Sequence, residues 1–165
     1  QTAPDHLPSW VRRETIVLNE IIKDNQLRIS ICDIADAEKV VEFQAEHLSE
    51  SETTHCSREF FCPIGLRFAI KRKQVIVVHE NDKIVAMTRF YITKRYGHAS
   101  LYQFAIAKSH RGKGLLLKML DIIDTRKIVF KCFIESSLNE YFLKTNWTLS
   151  SQDNNFKYWV IHKES

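Results

Sequence analysis

The stretch that most restricts how this chain can fold is residues 101–123. Seven mostly apolar residues, Leu101-Tyr102-Gln103-Phe104-Ala105-Ile106-Ala107, run into Lys108-Ser109-His110-Arg111-Gly112-Lys113-Gly114 and then into Leu115-Leu116-Leu117-Lys118-Met119-Leu120. The first part predicts a strand and the second a turn. The third predicts a helix from Leu115 to Ile123, so apolar that it has to be buried against a sheet. Two of the chain's four glycines sit in the turn, where a missing Cβ lets backbone approach a ligand. Unpaired amides at a helix start favour phosphate oxygens, and Arg111, Lys113 and Lys118 add positive charge nearby. The competing reading is a solvated basic turn whose glycines only make the bend.

The flanks predict the rest of the architecture. Residues 1–9 carry Pro4 and Pro8 and predict an extended lead-in. Ser9 offers an N-cap to a helix over about Trp10 to Lys23, with Val11, Leu18 and Ile22 on one face. Leu27-Arg28-Ile29-Ser30-Ile31 alternates at period two and predicts the first strand. Asp33 or Asp36 caps a helix carrying Ala37, Val40, Val41, Ala45 and Leu48 at helical spacing. Residues 49–63 are polar and Ser/Thr-rich and predict loop or broken helix. The β-branched runs Val75–Val78 and Ile84–Ile92, around Glu80-Asn81-Asp82-Lys83, predict a β-hairpin. Ile128–Ile134 predicts a strand, Leu138–Thr145 a short helix, and Trp147–Leu149 and Phe156–Ile161 closing strands split by Gln152-Asp153-Asn154-Asn155.

Helices do not alternate with strands throughout, which argues against a doubly wound parallel sheet. The expectation is an α+β fold: a mixed, mostly antiparallel central sheet flanked by helices. A chain of 165 residues, 44% hydrophobic and 27% charged, has the composition of one globular domain. The expected division is a domain over 27–165 with residues 1–26 as an extension bearing the first helix. No apolar run approaches a membrane span and no charged-then-apolar leader opens the chain. Cys32, Cys56, Cys62 and Cys132 show no paired-knuckle spacing, so reduced thiols in a cytoplasmic protein are expected. The formal charge of +4 suits an anionic ligand and does not by itself argue for nucleic acid.

The 101–120 stretch resembles the acyl-CoA motif of the GNAT superfamily, a strand followed by Arg/Gln-x-x-Gly-x-Gly/Ala and a helix. Arg111 stands at the first position and Gly114 at the fourth. The hairpin before the motif, the strand after it, the helix around Tyr141 and the Asn146-Trp147 pair are similar to that superfamily's order. The likeness covers residues 27–161. It implies N-acyl transfer from acetyl-CoA or another acyl-CoA by direct attack of an amine. It also implies that Phe104, Ala105 and Ile106 hold the pantetheine arm, while Arg111, Gly112, Lys113, Gly114, Leu115 and Leu116 hold the pyrophosphate. The sequence departs from the pattern at Leu116, where the superfamily has Gly or Ala. It departs again at Phe142, where the superfamily has the Tyr that protonates the leaving thiolate; here the hydroxyl sits one residue earlier, on Tyr141. Ser100 replaces the common acidic base and Glu135 the common Asn.

Tyr141 is therefore the candidate proton donor, and Tyr102, Glu135 and His98 are the candidates for taking a proton from the acceptor. Each also has an ordinary structural use: packed aromatics, a helix-start charge and a solvated turn. His47, His55, Cys56 and Cys62 are four potential zinc ligands within sixteen residues, but their spacing matches no metal finger, and no metal is expected. Lys71-Arg72-Lys73 and Lys94-Arg95, with Tyr91 and Tyr96, allow a nucleic-acid face. Two alternatives thus stay open beside the acyltransferase. One is a GNAT-like domain that only binds. The other is a GNAT-like enzyme acting on nucleic acid or aminoacyl-tRNA.

Overall fold

Two residues with left-handed backbone, Asn81 and Asp82 at φ 49° and 70°, close the hairpin around which the sheet is built. A type I′ two-residue hairpin turn has positive φ at both positions and matches strand twist, and Asn and Asp are among the residues with a Cβ that tolerate it best. In the computed structural model, which describes residues 21–22, 27–47 and 62–163, this turn joins β3 (Val75–Glu80) to β4 (Lys83–Thr93). Val75 to His79 are buried without alternation, as in a strand covered on both faces.

The other strands are laid down on either side. β2 (Leu27–Ile31) runs antiparallel to β3, and a two-residue β1 (Ile21–Ile22) pairs with β2. β5 (His98–Ile106) is antiparallel to β4, β6 (Lys127–Phe133) is parallel to β5, and β8 (Phe156–His162) is antiparallel to β6, with β7 (Thr148–Gln152) at the edge. Among the described residues the order is β1-β2-β3-β4-β5-β6-β8-β7. The β5–β6 neighbours alone are parallel, so this is the mixed, mostly antiparallel sheet that the sequence predicts.

Helices cover both faces. α1 (Ala37–His47) follows a 3-10 turn, Ile34–Asp36, whose N-cap Asp33 accepts from the Ala35 amide at 2.9 Å. α2 (Pro63–Lys71) is fastened to α1 by a bidentate Arg67–Glu38 pair at 2.8 and 3.0 Å. α3 (Leu115–Leu120) and α4 (Leu138–Lys144) come later in the chain. Thr88 donates its hydroxyl to Met119 Sδ of α3, whereas the next residue, Arg89, lies against Gly65 of α2. Successive strand residues face opposite ways, so α2 and α3 lie on opposite faces of the sheet. Phe104 pairs with Thr88 and touches Phe142, which puts α4 on the α3 face.

Four expectations need correction. Ile21–Ile22 is strand, so the helix predicted to reach Lys23 does not include them; residues 10–20 and 23 lie outside the described residues. α2 is a helix where none was predicted, because Pro63-Ile64-Gly65 looks like a breaker. Proline is well tolerated at a first helical position, and Cys62 Sγ accepts from the Gly65 amide at 3.5 Å. α3 is six residues long and stops at Leu120 rather than Ile123. Its last turn is secured instead by Lys163, whose Nζ donates to the carbonyls of Leu120 and Ile123. β5 begins at His98 and ends at Ile106, so Ala107 starts a 3-10 turn, Lys108–His110. Among the described residues no helix is long and apolar enough to cross a membrane.

Leu116 is wholly buried in the core with Leu115, Met119 and Leu120. Its size is therefore a packing requirement. Leu116→Ala should cost about 2–5 kcal/mol, read as a lowered urea midpoint. A neutral result would place Leu116 outside the core.

Candidate functional site

β5 and β6 are paired over only three residues each, Ala99↔Ile128, Ser100↔Val129 and Leu101↔Phe130. Past Leu101 the two strands continue, β5 to Ile106 and β6 to Phe133, without pairing to one another. The parting coincides with a fault on the other side of β5. Arg89 opposes Gln103 and the next β4 residue, Phe90, opposes Leu101, so Tyr102 is an extra residue in β5. Such a bulge bends the strand and re-aims side chains. Tyr102 and Gln103, neighbours in sequence, both reach Arg89 on the α2 face. The guanidinium lies 4.3 Å above the Tyr102 ring and donates to Gln103 Oε1 at 3.5 Å.

On the opposite face an aromatic wedge fills the base of the gap. Phe142 of α4 is its hub, with ring centroids at 4.9 Å from Phe130, 4.9 Å from Trp147, 5.8 Å from Trp159 and 6.3 Å from Phe104. The Tyr141 ring lies 6.2 Å from Phe104. Asn139 ties the wedge to the strand end. Its Nδ2 donates to the carbonyls of Phe133, Ile134 and Ser136 at 2.8, 2.9 and 3.0 Å, and its Oδ1 accepts from Trp159 Nε1 at 3.0 Å.

Beyond β5 lies the glycine turn. Gly112 and Gly114 have φ of 77° and 72°, and a Cβ at either would meet no atom within 4 Å. Glycine is thus needed there for the backbone conformation, and the space over the turn is open. Arg111 folds back, its Nε donating to the Ile106 carbonyl at 3.1 Å. Leu115 and Leu116 are buried and anchor the far end of the turn.

The structure brings most of the residues singled out in the sequence around this gap. Phe104, Ala105 and Ile106 belong to the stretch of β5 that pairs with β4 but not with β6, and the turn carrying Arg111 to Gly114 follows it. Tyr102 and Tyr141 flank the gap from opposite faces. Burial raises the Tyr141 pKa, so its hydroxyl keeps its proton at neutral pH. Glu135 is an exposed residue of the turn from β6 to α4. His98 is stacked on Tyr96 at 5.7 Å, at the end of β5 away from the turn. Ser100 belongs to the paired part of β5. Burial, then Asp36 and Asp33, push the Cys32 thiol up to about 12, and burial raises Cys132. Of the four possible metal ligands, His55 and Cys56 lie outside the described residues. Among the described ones no group of three His, Cys, Asp or Glu could hold a metal.

Arg89, Gln103 and Asn139 were not anticipated. Each left a trace in the sequence: a charge inside the β-branched run 84–92, an amide at a buried strand position, and an amide three residues before Phe142 on one helix.

A model of the GNAT acetyltransferase family matches residues 31–124, more than half of the chain. The chain belongs to the GNAT acetyltransferase family. Among curated protein sequences none matches it. Many solved structures share its fold. The PaiA N-acetyltransferase of Thermoplasma acidophilum, solved with coenzyme A, superposes with a TM-score of 0.68 at 16% identity, covering 83% of this chain and 99% of its own. A GNAT-family acetyltransferase of Bacillus cereus gives 0.64 at 15% identity, covering 84% and 99%. The diaminobutyrate acetyltransferase EctA of Paenibacillus lautus, solved with L-2,4-diaminobutyric acid and coenzyme A, gives 0.60 at 13% identity, covering 84% and 95%.

Phe142, with no exposed surface, accounts for the missing hydroxyl at its position. Phe142→Tyr should lower stability by about 1–3 kcal/mol, the cost of a buried hydroxyl without a partner. An unchanged denaturation midpoint would mean that the wedge has room for it.

Proposed function

We propose that this chain transfers an acyl group from an acyl-CoA thioester to an amine acceptor, with residues 27–165 as the acyl-CoA-binding domain. The observation that carries this reading is the parting of β5 from β6 beside the glycine turn. An unpaired strand edge presents backbone amides and carbonyls, the partners that the two amides of a pantetheine arm require. The arm would run along Phe104, Ala105 and Ile106. The pyrophosphate would sit over Arg111 to Gly114, where bare backbone and the cations Arg111 and Lys113 suit it, with Leu115 and Leu116 holding that backbone from the core. The match to the GNAT acetyltransferase family, and the coenzyme A held by two fold relatives, support the same choice of ligand.

In the proposed reaction a neutral amine attacks the thioester carbonyl and forms the C–N bond. Backbone N–H groups near the bulge stabilise the oxyanion. The C–S bond then breaks, and the thiolate takes the proton of the Tyr141 hydroxyl. The surplus proton of the acceptor leaves through water to the Glu135 carboxylate, with the Tyr102 hydroxyl available as a relay, and is returned through solvent to the Tyr141 phenolate, which closes the cycle. A second reading, a domain that binds acyl-CoA without turnover, is favoured by Phe142, whose place in the wedge leaves the superfamily's donor position without a hydroxyl.

Calorimetry with acetyl-CoA and with desulfo-CoA tests binding. Both should bind wild type, and Gly114→Val should weaken both about tenfold or more, since a branched side chain both strains the turn and fills it. Binding unaffected by that change in a folded protein would sink the assignment. For turnover, release of free CoA thiol with a panel of amines is the readout. Tyr141→Phe should lower it more than tenfold, within the roughly 10²–10⁴-fold range of general acid catalysis, with the denaturation midpoint nearly unchanged. Wild-type turnover in that variant would remove Tyr141 from the mechanism. Binding with no thiol release from any amine would select the second reading.

A further inference from the structure

The exposed turn at 108–114 carries three cations, Lys108, Arg111 and Lys113, and has little core of its own. Its backbone is held at the start by Ala107, whose amide donates to the Val85 carbonyl at 2.8 Å, and within by the His110 amide donating to the Ala107 carbonyl at 2.8 Å. One side chain in it is mostly covered. His110 is 13% exposed and contacts Glu80 through Nε2, while its Nδ1 lies 2.7 Å from the Ser109 hydroxyl. A carboxylate only accepts, so Nε2 carries a proton toward Glu80. In the neutral ring Nδ1 is then left to accept from Ser109. Both ring nitrogens are committed, which fixes the imidazole in position and orientation.

Glu80 is a rigid anchor for such a contact. It is the last residue of β3, next to the hairpin residues Asn81 and Asp82. Its pairing with Lys83 across the turn fixes its backbone.

We propose that Glu80, His110 and Ser109 form a positioning device that holds the glycine turn in the shape needed to receive the diphosphate of acyl-CoA. This rests on the acyl-CoA reading above. None of the three need touch the reacting atoms. Glu80 and His110 act through the backbone of Arg111 to Gly114, and the carboxylate offsets part of the mutual repulsion of the turn's cations. Preorganisation of this kind improves affinity by removing the ordering cost from the binding step. The effect is confined to the ligand's nucleotide end, because the pantetheine edge of β5 is fixed independently by its pairing with β4.

The test compares two ligands by calorimetry: acetyl-CoA, and acetyl-pantetheine, which lacks the diphosphate nucleotide. Glu80→Ala is expected to raise the Kd for acetyl-CoA about tenfold and leave that for acetyl-pantetheine unchanged, with Glu80→Gln recovering part of the loss. If Glu80→Ala does not fold, His110→Gln reads the same contacts. Equal acetyl-CoA affinity in wild type and folded variants would overturn the device while leaving the acyl-CoA reading in place. Equal loss of both ligands would also overturn it, as a general effect on the fold. A wild-type protein that binds neither ligand would overturn the acyl-CoA reading and the device with it.

Discussion

Everything distinctive about this molecule follows from the ladder between β5 and β6 ending at Leu101 and Phe130. Parallel strands normally run on together until one of them ends. Here both continue, and two structural features keep them apart. The extra residue Tyr102 bends β5 at the point of departure. The aromatic hub at Phe142 packs against Phe104 of β5 and Phe130 of β6, one ring on each strand. The first acts through the backbone and the second through volume.

The wedge also explains why the chain departs from the superfamily pattern where it does. Phe142 touches Phe104, Phe130, Trp147 and Trp159, and a hydroxyl at that depth would need a partner. Leu116 faces inward rather than toward the turn, so its bulk serves the core and leaves the surface above Gly112 and Gly114 open. Both substitutions are thus compatible with a working cleft. The hydroxyl displaced from 142 reappears on Tyr141, beside Phe104 at the edge of the gap.

Much of the fold was legible in the sequence because its signals are local. Alternation gave β2, the Asn81-Asp82 pair gave the hairpin, and the strand, glycine turn and apolar run gave β5 through α3. The errors share a cause. α2 begins with Pro63 and Gly65, residues that break helices in most contexts and begin them in this one. α3 stops early, and the carbonyls of Leu120 and Ile123 are met instead by Lys163, far along the chain. The site divided in the same way. Arg111 to Gly114 stood out in the sequence as candidates through their two glycines, their charge and their resemblance to the GNAT motif. The grouping of Arg89 with both Tyr102 and Gln103 was not, because it depends on a register fault between two strands. The Glu80–His110 contact was equally hidden, since it spans thirty residues.

The central claim is that the gap between β5 and β6, continued by the glycine turn, receives an acyl-CoA. Backbone amide NMR spectra of the whole protein, recorded with increasing coenzyme A, test it most directly. The expected result is a saturable shift of the amides of Phe104 to Ile106 and of Arg111 to Leu116, with those of β2 unmoved. Shifts confined to another surface, or none at millimolar ligand, would contradict it.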